Sequence, residues 1–407
     1  MALLHPFKGW LPSPDQVADI ACVPYDVINT AEARALATGK PNSYLKVVRP
    51  EITCSPETDI HADEVYDAGA REWAQMQATG VYTQEEVPSL YIYQLEWMGK
   101  TQTGLYSCIS VHEYNQDIIL KHELTRPDKE EDRTRHMLTL SSHPEPVMVT
   151  FKDDQGITDM MTKEMAQHDP YFSFEAEDGV THKLWKCNNP DSYVEAFKSV
   201  PHLYIADGHH RCKSSANAAE RLQASAAADG QSLPENHEIF FFPAVVFPMD
   251  EMRILAYNRA ITQVDQNQIE AFESRFALHE TQNPVPQKKG DVCVYYQGSW
   301  KTFTLPEPSG SNVVAGLDAE LLQTTVLTPV FGIGDPRTDP TIFFVGGRRG
   351  TEELEKLVQN GDAYMTFSMF PTSIQELVDV SDAGELMPPK STWFEPKLRS
   401  GLVVHTF

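Results

Sequence analysis

The chain is constrained most by a short apolar run, residues 203–206, which ends directly at Asp207 and Gly208. Such a run is typical of a buried strand, and the Ala-rich stretch 212–228 that follows is typical of a helix. An Asp-Gly pair between two elements indicates a tight turn. The sequence therefore predicts a strand that ends at this turn and a helix that begins at once.

The first turn of this helix carries an unusual set of charges. Helix N-termini favour acidic side chains, because cations there oppose the helix dipole. This turn is basic instead, with His209, His210, Arg211 and Lys213. A sequence that breaks a local rule without a structural gain is typical of a functional site. A bound phosphate would contact these groups and the backbone amides, while Gly208 would let it approach without a Cβ atom in the way.

Two other interpretations of this motif stay open at the level of the sequence. Asp207 could be an ordinary N-cap, with the histidines on the surface. Alternatively, His209 and His210 could ligate a metal ion, although neighbouring helical positions point about 100° apart and converge less readily than an i, i+4 pair. The basic first turn favours the anion site over both.

A second motif lies at residues 121–133, with the sequence KHELTRPDKEEDR. Thr125 and Asp128 have the spacing of a capping box, and Pro127 suits the first turn of a helix. The acidic residues that follow lie where the helix dipole favours them, so most of them are expected to be structural.

The residues just before this helix combine several kinds of functional group. His122, Glu123 and Arg126 bring an imidazole, a carboxylate and a guanidinium within five residues of one another. Glu123 is therefore the candidate general base. Arg126 and Lys129 are candidates for contacts with phosphate.

Strand and helix patterns alternate along the 407 residues without a regular βαβ rhythm, which predicts an α+β or mixed α/β fold. Three regions are expected, at residues 1–116, 117–230 and 231–407. The predicted helices lie near 58–79, after Pro127, and near 158–167, 212–228, 318–326 and 351–358. The predicted strands are 90–95 and 104–111, joined as a hairpin, followed by 147–151, 203–206, 240–247, 292–296, 342–345 and 365–367.

The formal net charge of −25 argues against partners that are themselves polyanions. A protein that binds nucleic acids or anionic membranes needs a basic surface, and this chain has no run of Lys and Arg to form one. The cysteines are scattered without a C-x-x-C pair, which is typical of reduced thiols, and no apolar run is long enough to span a membrane. A soluble cytoplasmic protein is expected.

Several motifs along the chain resemble one large bacterial and archaeal family that has long been described as a domain of unknown function. The resemblance spans essentially the whole chain. It rests on residues 24–27 (PYDV), 49–51 (RPE), 121–130 (KHELTRPDKE), 206–211 (ADGHHR), 257–259 (YNR) and 387–392 (MPPKST).

The ADGHHR motif also resembles the nucleotide-binding core of the ParB/sulfiredoxin superfamily, which includes ADP-dependent free-serine kinases. The resemblance implies such a core, with flanking α/β regions on either side. It places the phosphate-binding motif on Asp207, Gly208, His210 and Arg211, with His209 at its variable position. The essential glutamate of the serine kinases would correspond to Glu123.

The resemblance thus implies a phosphotransferase that uses ADP or ATP to phosphorylate the hydroxyl of a small molecule, with free L-serine favoured. Asp207 and His210 would join Glu123 as catalytic residues, and Asp207 would hold a magnesium ion (Mg²⁺). His122 and Thr125 would contact the substrate. Two alternatives are a nucleotide-binding regulatory protein without turnover and a metal-dependent hydrolase built on the histidines. A homo-oligomer is left open.

Overall fold

The computed structural model describes residues 2–153, 156–308, 310 and 312–407. This part of the chain divides into two compact units, a first unit formed by Met1–Met252 with Pro396–Phe407, and a second unit formed by Arg253–Glu395. The three predicted regions 1–116, 117–230 and 231–407 do not coincide with these units. The reason is that strands from all three regions pair in one sheet, which local sequence patterns do not report.

The first unit is built around a mixed sheet that contains the predicted hairpin and the strand of the ADGHHR motif. The apolar central strands are buried and form the core of this unit. In order across the sheet, the strands are Ile119–Leu120, Leu203–Asp207, Val147–Phe151, Phe241–Pro248, Lys100–Ser110, Tyr91–Trp97, Thr181–Lys186 and Phe172–Glu175.

Helices and short strand pairs surround this sheet. The α-helices are Val17–Ile20, Thr30–Ala37, Leu45–Val48, Asp63–Ala78, Val111–Asn115, Pro127–Leu140, Ile157–Met165, Pro190–Phe197 and His209–Ala228, and the 3₁₀ turns are Pro50–Thr53, Glu238–Phe240 and Met249–Glu251. Trp10–Pro12 pairs with Tyr82–Gln84, and Ser142–His143 pairs with His405–Thr406. The second of these pairs ties the end of the chain to the first unit.

The second unit has an antiparallel sheet with its own apolar core. Its strands lie in the order His279–Glu280, Ser299–Thr304, Asp291–Tyr296, Met365–Met369, Tyr257–Ile261 and Ile342–Gly346, and Ile254–Leu255 pairs separately with Trp393–Phe394. The helices are Gln266–Arg275, Asp318–Leu322, Thr328–Phe331, Gly350–Gln359 and Ile374–Asp382, with 3₁₀ turns at Val314–Gly316 and Gly347–Arg349 and a π-helix at Gln323–Leu327.

The mixed α/β class is confirmed by these elements. The hairpin, the helix after Pro127 and the strand at Val147–Phe151 form where the sequence predicts them. The helix expected over 212–228 begins earlier, at His209, because Gly208 alone makes the turn after the strand. Among the described residues, no helix is both long and apolar enough to cross a membrane.

Candidate functional site

The two sequence motifs follow neighbouring strands of the sheet in the first unit. Strand Leu203–Asp207 runs parallel to Ile119–Leu120, with Leu203 opposite Ile119. Parallel neighbours end at the same edge of a sheet, where ligands of α/β proteins commonly bind. The loop 121–126, here called the glutamate loop, therefore lies next to the start of the helix His209–Ala228, here called the motif helix.

Two histidines join the motif helix to the glutamate loop. The His122 N–H donates to Nε2 of His209 at 3.3 Å, and the Arg126 N–H donates to Nε2 of His210 at 3.1 Å. A neutral imidazole that accepts at Nε2 carries its proton on Nδ1. His209 is buried, so the interpretation of this residue as a surface histidine is wrong.

His209 also faces the candidate general base. Its Nδ1 lies 3.9 Å from Oε2 of Glu123, whose side chain is 36% exposed. Burial, and next the neighbouring His122 ring, hold the pKa of His209 well below its ordinary value. At this distance the neutral imidazole and the carboxylate are neighbours and do not form a hydrogen bond.

His122 forms the wall behind this pair. Its ring packs edge-on against the His209 ring, with 4.4 Å between the ring centres. Burial lowers the pKa of His122 to about 4, so the ring is neutral at pH 7. Among the described residues, neither ring nitrogen of His122 meets a partner with hydrogen-bond geometry. Its predicted contact with substrate stays a prediction.

Asp207 is held between two cations. Its Oδ2 accepts from Nη2 of Arg211 at 2.9 Å, and its Oδ1 lies 3.5 Å from Nζ of Lys397. Burial opposes ionisation, but Lys397 and Arg211 together hold the pKa of Asp207 well below its ordinary value. The aspartate is thus ionised, and its side chain does not cap the helix, whose N-cap is Gly208. The N-cap interpretation of Asp207 is therefore wrong.

Arg211 is bound within the protein. Its guanidinium donates to Asp207 and to the Pro146 carbonyl, and the side chain is only 3% exposed. Burial opposes the charge, but Asp207 raises the pKa further above its already high value, so Arg211 stays charged. A direct contact with phosphate by Arg211 stays a prediction, while its role in positioning Asp207 follows from the geometry.

Two features favour glycine at position 208, the backbone conformation and the close packing around it. Its φ of 103° lies in the region that favours glycine. A Cβ atom would stand 3.0 Å from Nε of Arg211 and 3.0 Å from Cγ1 of Val147. The space expected from the sequence to admit a ligand is thus partly filled by Arg211 itself.

Gly208→Ala is expected to lower the free energy of unfolding by about 1–3 kcal/mol, because the backbone strain and the close contacts add. Urea-induced unfolding followed by circular dichroism measures the change. Gly230→Ala is the matched control, since Gly230 also has a positive φ of 72°, but a Cβ atom at this position would have no neighbour within 4 Å. Equal losses in the two variants would show that the contacts around Gly208 are unimportant.

A buried polar network extends the site away from the motif helix. Oε1 of Glu145 accepts from the Tyr25 N–H at 3.0 Å and from the Ser400 hydroxyl at 2.9 Å. The Arg133 guanidinium lies 4.4 Å from the centre of the Tyr25 ring. Burial raises the pKa of Glu145, with Arg211 and Arg133 acting in the opposite direction. Perturbed carboxyls of this kind cluster at functional sites.

Glu145, Arg133 and Lys397 are not among the site residues predicted from the sequence. One signal was available for part of this network, because Asp207 and Arg211 have the i, i+4 spacing of an ion pair. Lys397 lies 190 residues beyond Asp207, and no local pattern links the two.

The other predicted residues lie around the first turn of helix Pro127–Leu140. Thr125 does not form the expected capping box, because Pro127 is the first helical residue and Arg126 therefore takes the N-cap position. The Thr125 hydroxyl donates to Glu130 instead, at 2.6 Å. Arg126 pairs with Asp128 at the surface. Lys129 follows in the same turn and is partly exposed.

Asp207 is the residue predicted to hold Mg²⁺. Its Oδ2 is engaged by Arg211, whereas Oδ1 is only weakly held by Lys397, so one oxygen of an ionised carboxylate suits a hard cation. Mg²⁺ typically takes one or two carboxylates together with substrate phosphates and water. Within the described ranges, no group of three or more His, Cys, Asp or Glu is arranged to hold a metal ion.

The buried neutral histidines make stability depend on pH. Burial lowers the pKa of His122 to about 4 and that of His136 to about 3. The unfolded chain binds protons near pH 6.5, so these residues contribute stability above that pH, and it is lost as the pH falls. Together they are expected to lower the free energy of unfolding by about 1–2 kcal/mol between pH 7 and pH 6.

Urea titrations at the two pH values measure this loss. His122→Gln removes one titrating ring from a set of buried histidines with lowered pKa that also includes His136 and His209, so the difference between pH 7 and pH 6 should shrink by about 0.5–1 kcal/mol, the share of one ring. An unchanged difference in this variant would contradict the assignment.

Comparison with solved structures finds distant likenesses. A conserved hypothetical protein from Pyrococcus furiosus is 12% identical, with a TM-score of 0.34 over 71% of this chain and 90% of that chain. A structure described as free serine kinase in complex with AMP is 13% identical, with a TM-score of 0.36 over 71% and 86%. SbnI with a C-terminal truncation, from Staphylococcus aureus, is 11% identical, with a TM-score of 0.38 over 72% and 85%. These likenesses are too distant to assign a fold or an activity.

No curated protein matches the sequence. The profile of one family, however, matches residues 4–320, which is well over half of the chain and includes both motifs of the candidate site. The chain therefore belongs to the family described as Protein of unknown function (DUF1015).

Proposed function

We propose that the first unit is a nucleotide-dependent phosphotransferase that acts on the hydroxyl of a small molecule. The observation that carries the proposal is the placement of Glu123, a partly exposed carboxylate, beside the start of the motif helix at the shared end of two parallel strands. A base and an anion-binding helix start are the two parts that phosphoryl transfer requires close together.

The nucleotide phosphates would bind at the start of the motif helix. The first N–H groups of a helix have no partner within the helix, and the dipole there favours an anion. No acidic residue lies in the first turn of this helix. Gly208, His209 and His210 would contribute backbone amides. The resemblance to the ParB/sulfiredoxin superfamily assigns the phosphate-binding motif to Asp207, Gly208, His210 and Arg211, with His209 at its variable position.

Further positive charge lies close to that helix start. The Arg126 backbone is bound to His210, so its side chain and that of Lys129 belong to the segment that borders the proposed phosphates. Arg211 and Lys397 both face Asp207, while Asp26 and Glu145 also act on Arg211. The cationic side chains near the helix start would offset part of the repulsion of a nucleotide by a chain whose net charge is −25.

The chemical step is a direct transfer. The substrate hydroxyl oxygen attacks the terminal phosphorus, the bond from that phosphorus to the nucleotide oxygen breaks, and Glu123 accepts the hydroxyl proton. ADP would leave as AMP, and ATP would leave as ADP. Nδ1 of His209 lies 3.9 Å from Glu123, so His209 would act as a positioning residue if the carboxylate moves into hydrogen-bond distance when substrate binds. His210 accepts a hydrogen bond from the glutamate loop and would thereby hold the base at a fixed distance from the phosphates.

Asp207 would contribute one oxygen ligand to Mg²⁺, which neutralises charge on the transferring phosphate when it is bound. Lys397 and Arg211 keep this carboxylate ionised, so it is ready to bind a cation at any pH near neutrality. Arg211 also fixes the orientation of the carboxylate through its bond to Oδ2.

Free L-serine is the favoured acceptor, and O-phosphoserine is then the product. This choice rests on the resemblance to the free-serine kinases and on Glu123 as the counterpart of their essential glutamate. His122 and Thr125 border Glu123 in the sequence and would shape the acceptor side.

Phosphorus NMR of the full chain with Mg²⁺ and ADP or ATP, with and without L-serine, tests the proposal. A phosphoserine resonance that requires both nucleotide and serine, and that is lost in His210→Ala, is expected. Nucleotide binding without any product, with serine or with other small hydroxyl acceptors, would replace the transferase by a nucleotide-binding regulatory protein.

A further inference from the structure

Two of the family motifs play no part in the proposed function, and both lie in the second unit. Residues 257–259 and 387–392 come together at a cavity of about 450 Å³. Arg259 lines the cavity from one motif, and Met387, Pro388 and Pro389 line it from the other. A volume of this size lies within the range of sites for small molecules.

Arg259 is a buried cation without a matching anion. Its side chain is 4% exposed, and it donates to the carbonyl oxygens of Tyr257 and Lys390, the second at 3.3 Å. Among the described residues, no carboxylate comes within ion-pair distance of this guanidinium. Burial lowers the pKa of Arg259 to about 10. Buried charges in proteins are normally paired, so the guanidinium lacks the partner that a bound anion would supply.

One uncommon backbone feature begins in the wall of the cavity, at Gln323, and a second lies at Lys390, next to the lining residue Pro389. Residues Gln323–Leu327 form a π-helix, a rare element that is frequent at functional sites. The Gln323 side chain lines the cavity and donates to the carbonyls of Ile333 and Gly334, which fixes the loop opposite. Lys390, whose carbonyl accepts from Arg259, has a φ of 59°, an unfavourable conformation for a residue with a side chain.

The other residues that line the cavity are exposed or partly buried charged residues and apolar side chains. Arg337 lies 3.9 Å from Asp335, and both are exposed. Glu320 is partly buried, which raises the pKa of its carboxyl and disfavours its charged form. Val314 and Leu386 add apolar surface, and Leu386 is exposed. Arg259 is therefore the one buried charge among the described residues of this lining.

We propose that this cavity binds a small organic anion, whose carboxylate or phosphate group pairs with Arg259 while its apolar body contacts Val314 and Leu386. The guanidinium presents a planar set of donors that matches either oxyanion. All lining residues belong to the second unit, and none of them has a part in the proposed phosphotransferase, so this proposal does not rest on that one.

Calorimetric titration of the full chain with benzoate and with phenyl phosphate tests the site, and benzyl alcohol serves as the neutral probe of the same shape. Arg259→Met is expected to weaken binding of the preferred anion at least tenfold. Arg349→Met is the matched control, because Arg349 lies in the same unit, is exposed and pairs with Glu353. This control should bind as the wild type does.

Thermal unfolding separates a binding role from a structural one. Without ligand, Arg259→Met should melt at or above the wild-type midpoint, because an apolar side chain replaces an unpaired buried charge. Arg259→Lys keeps the charge but loses the planar donors, so it should fold and still bind more weakly than the wild type.

The three probes also distinguish the kind of anion. Stronger binding of benzoate identifies a carboxylate site, and stronger binding of phenyl phosphate identifies a phosphate site, provided that the difference disappears in Arg259→Met. The proposal is overturned if neither anion binds, if benzyl alcohol binds as tightly, or if wild type and Arg259→Met bind equally.

Discussion

Arg211→Met is expected to lower the free energy of unfolding by about 2–4 kcal/mol. The substitution removes the closest partner of Asp207, a carboxylate whose side chain is 28% exposed, and also leaves the buried Pro146 carbonyl without its donor. Lys397 remains near Asp207, at 3.5 Å, and compensates only part of the lost interaction. Urea-induced unfolding followed by circular dichroism measures the loss.

The motif helix offers a matched control for this prediction. Arg221 lies on the same helix and pairs with Glu131, but both side chains are about half exposed. Arg221→Met should therefore cost less than about 1 kcal/mol. Adding Asp207→Asn to Arg211→Met should restore part of the stability, because the unpaired charge is gone. Equal losses for the Arg211 and Arg221 variants would contradict the account of the buried pair.

Glu123→Gln is expected to lower the turnover of the proposed phosphotransferase by a factor of about 10²–10⁴, the usual contribution of a general base. Nucleotide affinity should change little, since the carboxylate is assigned to the acceptor hydroxyl and not to the phosphates. The amide keeps the size of the side chain and its position beside His209. Initial rates at saturating substrate, together with nucleotide titrations, measure the two effects separately.

Glu131→Gln is the control for this variant. Glu131 is an exposed carboxylate of the neighbouring helix, and its partner is Arg221. Its removal should leave turnover within a factor of about two, because surface ion pairs contribute little. If Glu123→Gln retained full turnover, another group would have to be the base, and the buried carboxyl of Glu145 would be the next to test.

The sequence predicts the local parts of this fold well. The hairpin, the helix after Pro127 and the strand–turn–helix at Asp207 depend on residues close together in the chain, so hydrophobic pattern and turn chemistry suffice. The pairing of strands does not follow from such patterns. Ile119–Leu120 and Leu203–Asp207 are neighbours in the sheet although more than 80 residues separate them, and it is this pairing that unites the two motifs.

The candidate site was predictable to the same extent. The basic first turn of the motif helix stands out because cations there oppose the helix dipole. Glu123 stands out because it precedes its helix and has no evident role in starting it. What the histidines contact could not be predicted, because their partners are backbone N–H groups of a distant loop. Lys397 and Glu145 were missed for the same reason, since their partners are far away in the sequence.

Titration of ADP with Mg²⁺ into the full chain by calorimetry tests the central claim, that the start of the motif helix binds nucleotide phosphates. Saturable binding at one site per chain is predicted, with affinity at least tenfold lower in His210→Ala. His279→Ala, an exposed histidine of the second unit, should bind as the wild type does. No binding by the wild type, or equal affinity in wild type and His210→Ala, would contradict the claim.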